Sequence, residues 1–143
     1  MLWGAQRPLI LAGGGARHAD AALQALAERL DAPVVTTSNG RGLLHGHALG
    51  VHASPSLRSV RRLMAEADVV LAVGTEFGPT DYDMYADGGF VLPPVLIRID
   101  IDQAQLDRRA ATLPIRAANA TALGILAALA QARRGHDGAE RAG

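Results

Sequence analysis

The 143-residue chain has no cysteine, which removes thiol nucleophiles, disulfides and cysteine-ligated zinc from consideration. It has no lysine either, and its 14 arginines are scattered rather than clustered. Fourteen acidic residues balance them to a formal net charge of zero, so the basic footprint of a nucleic-acid or membrane-surface binder is missing. No apolar run is long enough to span a bilayer. The start, Met1-Leu2-Trp3-Gly4-Ala5-Gln6-Arg7, lacks a basic segment followed by a hydrophobic signal core. A cytoplasmic location is therefore the expectation, with small molecules or protein as partners and neither nucleic acid nor membrane among them. There is no internal repeat.

What the chain does have is an apolar share of 49%, enough for one sizeable core, and two strongly apolar runs. Ala67-Asp68-Val69-Val70-Leu71-Ala72-Val73-Gly74 and Val95-Leu96-Ile97-Arg98-Ile99-Asp100-Ile101-Asp102 lack the alternation of a half-exposed strand. Each reads as a strand of a parallel sheet covered by helices on both faces. Ligands of such sheets sit beyond the carboxyl ends of the strands. The polar residues after the two runs, Thr75-Glu76 and Asp100 to Asp102, are thus where function is sought.

Leu9 to Ala12 reads as an earlier strand, followed by the turn Gly13-Gly14-Gly15 and a helix whose Ala19, Leu23, Leu26 and Leu30 share one face. Pro33 to Thr37 is the next strand, completing a parallel, right-handed βαβ unit. Ser38 to Pro55 has no period and reads as a long functional loop with a short element near Leu49. Ser54-Pro55 resembles a helix start, and Val60, Leu63, Met64 and Ala67 supply that helix with a face. A second irregular loop covers Glu76 to Pro94. Asp102-Gln103-Ala104-Gln105 resembles a capping box, Leu113 to Ala117 an edge strand containing a proline, and Asn119 the cap of a last helix. The expected organisation is a single domain over 1–134 and a disordered tail over 135–143.

Several candidate sites have competing readings. Gly13-Gly14-Gly15 between strand and helix admits a phosphate and aims helix amides at it, or is a tight turn. The dinucleotide fingerprint is incomplete, with His18 where its third glycine belongs and Thr36-Thr37-Ser38 where its acidic residue belongs. His45, His47 and His52 lack an acidic or cysteine partner at ligand spacing, so no metal is expected there. Ser38, Ser54 and Ser56 have no nucleophile-elbow context. Asp100 and Asp102 are placed to accept from a ribose diol, while helix capping competes for Asp102. Thr80-Asp81-Tyr82-Asp83-Met84-Tyr85-Ala86-Asp87 is an acidic, aromatic loop that either encloses a cationic group or is simply solvated.

In their order and spacing these segments resemble the central domain of thiamine-diphosphate-dependent enzymes related to acetolactate synthase, pyruvate oxidase and the 2-oxo-acid decarboxylases. The resemblance runs through Arg7 to Gly15, Ala32 to Thr37, Leu49-Gly50-Val51-His52, Ala67 to Thr75, and Ile99 to Asp102. It implies an α/β, Rossmann-like, six-stranded parallel sheet with helices on both faces, lying between a pyrimidine-binding and a diphosphate-binding domain. It implies thiamine diphosphate and magnesium in the parent enzyme, assembly as a homo-oligomer, and no catalysis by this segment alone. For an FAD- or ADP-binding role, the matching positions are Gly13, Gly14, Gly15, Thr37, Leu49, Gly50, His52, Gly74, Thr75, Glu76, Asp100, Ile101, Asp102 and Asn119. Flavin-containing relatives tend to carry arginine at the place of Glu76 and a Gly-Asp pair at Ala118-Asn119; a carboxylate beside a pyrophosphate repels it. The expectation is a nucleotide pocket that is degenerate or altered. Three further readings stand beside this one: a parent acting on a cationic 2-oxo acid such as 5-guanidino-2-oxopentanoate, a stand-alone nucleotide-binding module, and a structural assembly domain.

Overall fold

The computed structural model describes residues 1–78, 91, 93–131 and 137–143. The strands are β1 (Pro8–Ala12), β2 (Val34–Thr36), β3 (Gly50–Val51), β4 (Val69–Val73), β5 (Leu96–Asp100) and β6 (Leu113–Arg116). They form one six-stranded sheet in the order β3-β2-β1-β4-β5-β6, with every neighbouring pair parallel. Leu11 sits between Val35 on one side and Ala72 on the other, which sets the register at the centre.

Because side chains alternate across a strand, the apolar runs feed two cores at once. Ile10, Ala12, Val34, Leu71, Val73, Ile97 and Ile99 face one core, with α1 (Asp20–Leu30) and α4 (Asn119–Leu129) laid over it. Leu9, Leu11, Val35, Val51, Val70, Ala72 and Leu96 face the other, covered by α2 (Arg58–Ala65). Leu23, Leu26 and Leu30 of α1 are all buried, as their spacing predicts, and burial of each is worth about 2 kcal/mol. No helix among the described residues is long and apolar enough to cross a membrane.

Three local expectations are corrected. The helix predicted from Ser54 begins at Arg58, because Ser54 Oγ accepts from the Ser56 amide at 3.3 Å and the Ser54 carbonyl accepts from the Leu57 amide, closing a turn first. Asn119 does not cap α4: the cap position is Ala118, and the Asn119 side chain points to Gly15 instead. The tail expected to be disordered contains α5 (Gly138–Ala142), where the Gly138 amide donates to Asp31 Oδ2 at 2.8 Å and Arg141 donates to the Pro8 carbonyl at 3.3 Å. These anchors lie more than a hundred residues away in sequence, so no local period announces them. The acidic loop at 80–87 lies outside the described residues.

Asp68 aligns the lead-in of β1 with that of β4. Its two carboxylate oxygens accept from the Gln6 and Arg7 amides at 2.6 and 2.9 Å. Burial pushes its pKa up, yet these amide bonds outweigh burial and the net shift is downward. A carboxyl depressed in the folded state adds stability above its unfolded pKa and loses it as pH falls through the folded one. Asp68→Asn is therefore expected to lower the urea midpoint at pH 7 and to flatten its decline below about pH 4. Parallel acid limbs in the two proteins would contradict this role.

Candidate functional site

Strand order reverses between β1 and β4, so the switch point of the sheet lies at their carboxyl ends. From β1 the chain enters the 3-10 turn Gly14–Ala16, and from β4 it enters Gly74 to Gly78. The two exits are packed against each other. The Gly13 amide donates to the Val73 carbonyl at 2.9 Å and the Gly15 amide to the Gly74 carbonyl at 3.0 Å. A Cβ on Gly13 would lie 2.2 Å from the Gly74 oxygen, and one on Gly15 2.8 Å from Gly74 Cα. Glycine is needed at both positions for the approach of backbone to backbone.

That packing engages four of the donors a phosphate would use, though not the Gly14 amide. The amides of Gly13, Gly15, Ala16 and Arg17 all bond to carbonyls within the two exits. Helix α1 starts only at Asp20, whose carboxylate accepts from the Leu44 amide at 3.0 Å. The expected aiming of helix amides at the glycine turn is thus not what the chain adopts.

Beyond the two exits lies a crevice of about 300 Å³ lined by Gly14, Gly15, Arg17, Thr37, Asn39 and the segment Gly74 to Glu76 with Gly78. It brings together Gly14, Gly15, Thr37, Gly74, Thr75 and Glu76 from the predicted set. His52 lines an adjoining cleft of about 340 Å³, with Arg41, His45 and the same Thr37. Leu49 is buried, and Gly50 lies on edge strand β3. Gly13 is behind the crevice wall, and Asn119 supports it from below by donating to the Gly15 carbonyl at 3.1 Å.

Asp100, Ile101 and Asp102 lie apart from this crevice. Asp100 Oδ1 accepts from the Asp102 amide, and Asp102 Oδ1 accepts from the Ala104 amide, each at 2.9 Å. Asp102 is thereby the N-cap of α3 (Gln103–Asp107), the competing reading of that residue. Gln105 does not complete a capping box; its Oε1 is buried without a partner among the described residues. The histidines also separate. His47 accepts from the Leu49 amide through Nδ1 at 3.1 Å, and its Nε2 meets Glu28 at 3.0 Å, whereas the His45 and His52 rings meet edge to face at 6.3 Å. The Gln24 amide and the His47 ring together hold the Glu28 carboxyl below its ordinary pKa.

Comparison with known proteins fits this geometry. The family model described as "Thiamine pyrophosphate enzyme, central domain" matches residues 1–126. The chain belongs to this family. It is 48% identical over 99 residues to the protein named Probable 2-ketoarginine decarboxylase of Pseudomonas aeruginosa, a match covering 68% of this chain and 17% of that one. It is 31% identical over 111 residues to the acetolactate synthase isozyme 1 large subunit of Escherichia coli, covering 76% of this chain and 19% of that one. The fold superposes with a TM-score of 0.72 on the thiamine diphosphate-dependent 4-hydroxybenzoylformate decarboxylase of Rhodococcus jostii, at 23% identity, over 94% of this chain and 26% of that one. The chain thus spans less than a fifth of the length of these two curated relatives.

Among the described residues no group of three acidic or histidine side chains is placed to hold a metal ion. What the central domain does hold firmly is the chain that leaves β4. Arg98 of β5, 1% exposed, donates to the carbonyls of Thr75 at 3.2 Å and of Leu106 and Arg109 at 3.3 Å, and its guanidinium lies 4.8 Å from the centre of the Phe77 ring. An arginine in an apolar run carries no local signal of this role; only the tertiary placement of three carbonyls reveals it. Arg98→Met would leave those carbonyls short of a donor and is expected to cost about 2 kcal/mol in urea unfolding. An unchanged unfolding free energy would show that the clamp is dispensable.

Proposed function

We propose that this chain is the non-catalytic central domain of a thiamine-diphosphate-dependent, acetolactate-synthase-like enzyme that acts on 2-oxo acids. The match of the central-domain model over residues 1–126 carries this reading. The domain sits between the pyrimidine-binding and diphosphate-binding domains of the same cytoplasmic enzyme, which supply thiamine diphosphate and magnesium to the reaction, and the enzyme assembles as a homo-oligomer. Its own nucleotide pocket is altered. The Gly13 and Gly15 amides are already bonded, Glu76 stands exposed on the crevice wall, and about 300 Å³ is at the small end of ligand pockets, so FAD does not fit in the usual pose.

A second reading is favoured by one observation, the 48% identity to a protein named for 2-ketoarginine decarboxylation. On that reading the parent decarboxylates 5-guanidino-2-oxopentanoate, and Glu76, Asp81 and Asp83 with Tyr82 and Tyr85 help to receive the guanidinium. The complete polypeptide containing this segment, supplied with thiamine diphosphate and magnesium, is to be assayed for carbon dioxide release from neutral and cationic 2-oxo acids. Release from pyruvate supports the first reading. Preferential release from the guanidino acid, lost in the Asp81→Asn, Asp83→Asn protein, supports the second, and no release from any 2-oxo acid contradicts both.

A further inference from the structure

Two opposite charges line the switch-point crevice without meeting. Glu76 and Arg17 are both exposed on its wall, and among the described residues neither side chain has an ion-pair or hydrogen-bond partner. Elsewhere in the chain such pairs close: Arg7 reaches Glu66 at 3.0 Å, Arg62 reaches Glu66 at 2.8 Å, and Arg141 reaches Asp137 at 2.8 Å.

The position of Glu76 is set by its neighbours. Gly74 and Phe77 both have left-handed backbones, at φ +57° and +53°, a conformation that costs Phe77 about 1 kcal/mol. Thr75 and Phe77 are buried on either side of Glu76, and Arg98 engages both, through the Thr75 carbonyl and the Phe77 ring. The chain therefore turns inward, outward and inward again, and only the carboxylate at Glu76 is presented. Arg17 leaves the 3-10 turn with its amide bonded to the Gly14 carbonyl at 3.3 Å. The remaining wall is neutral and polar. Thr37, 3% exposed as a residue, and Asn39 both line the same wall.

We propose that this crevice binds a small zwitterion, a molecule with a guanidinium or ammonium at one end and a carboxylate at the other. Glu76 accepts from the cationic end, Arg17 donates a pair of hydrogen bonds to the carboxylate, and the Thr37 hydroxyl bonds along the length of the ligand. The volume suits an amino acid or its 2-oxo analogue rather than a dinucleotide. The glycine turn contributes shape rather than a full phosphate cradle, since the amides of Gly13, Gly15, Ala16 and Arg17 are bonded within the two exits. This deepens the reading of the chain as a central domain, and rests on it only for the enzyme in which the crevice sits.

The probe is L-arginine, titrated calorimetrically into the complete polypeptide, with agmatine lacking the carboxylate and citrulline carrying a neutral ureido group in place of the guanidinium. Saturable arginine binding is expected, with agmatine and citrulline each weaker by about tenfold or more, the effect of one lost charge-assisted contact. Glu76→Gln should abolish the preference for arginine over citrulline, and Arg17→Met the preference over agmatine. Both side chains are exposed, so folding is not at stake. No binding up to about 10 mM arginine overturns the proposal, as does binding that neither substitution alters, which would place arginine elsewhere on the enzyme. Carbon dioxide release is read separately on the same preparation; its failure counts against the 2-oxo-acid reading and leaves the titration to decide the crevice.

Discussion

The contact on which the structure turns is the crossing of two backbones at the carboxyl ends of β1 and β4. Gly13, Gly15 and Gly74 let the exits from these strands approach to hydrogen-bonding distance, and any side chain there would strike main-chain atoms. Main chain cannot yield as the end of a flexible side chain can, so the strain of a substitution would spread into the sheet. Asn119, arriving from the far end of the sequence, donates to the carbonyl of Gly15 and ties α4 to the same crossing. The central pair of strands, the helix over one face and the crevice wall thus share one point of registration.

From that crossing follows what the crevice can and cannot accept. In a dinucleotide-binding fold the glycine turn has free amides and the following helix points its positive end at the pyrophosphate. In this chain the Gly13 and Gly15 amides are bonded to neighbouring carbonyls, the glycines run into a 3-10 turn rather than directly into α1, and Asp20 is the first residue of that helix. Arg98 then holds the exit of β4 from beneath, so that the outward-facing side chain is a carboxylate. The family's architecture is kept, and the crevice at its switch point is lined by both a carboxylate, Glu76, and a guanidinium, Arg17.

The fold is legible in the sequence where apolar residues report burial directly. The runs at 69–73 and 96–100 are β4 and β5, and the spacing of Leu23, Leu26 and Leu30 is the inner face of α1, because a buried strand or helix leaves its period in the sequence. Edge strand β6 is legible from its proline, which stands opposite Arg98 at the sheet margin. What stays hidden depends on partners distant in sequence. Asn119 looks like a cap until Gly15 is placed beside it; Arg141 looks like tail until Asp31 and Pro8 are; Arg98 looks like one polar residue in a strand until three carbonyls surround it. For the candidate site, the glycine turn and Thr75-Glu76 can be found from strand ends alone, while Thr37 and Gly74 come only through the family resemblance. Arg17 and Asn39 escape such a reading, because nothing local distinguishes an arginine or asparagine on a crevice wall from one in solvent.

The most direct measurement is a titration of FAD into the complete polypeptide, followed by quenching of flavin fluorescence, with the absorption spectrum of the purified enzyme recorded alongside. If the glycine crossing serves the backbone and the crevice carries a fixed carboxylate, the enzyme is colourless as purified and flavin shows no saturable binding. Saturable binding of FAD, lost on substitution of Gly14 or Thr37, would mean that the crevice opens to a dinucleotide after all and that its bonded amides and its carboxylate do not decide what it accepts.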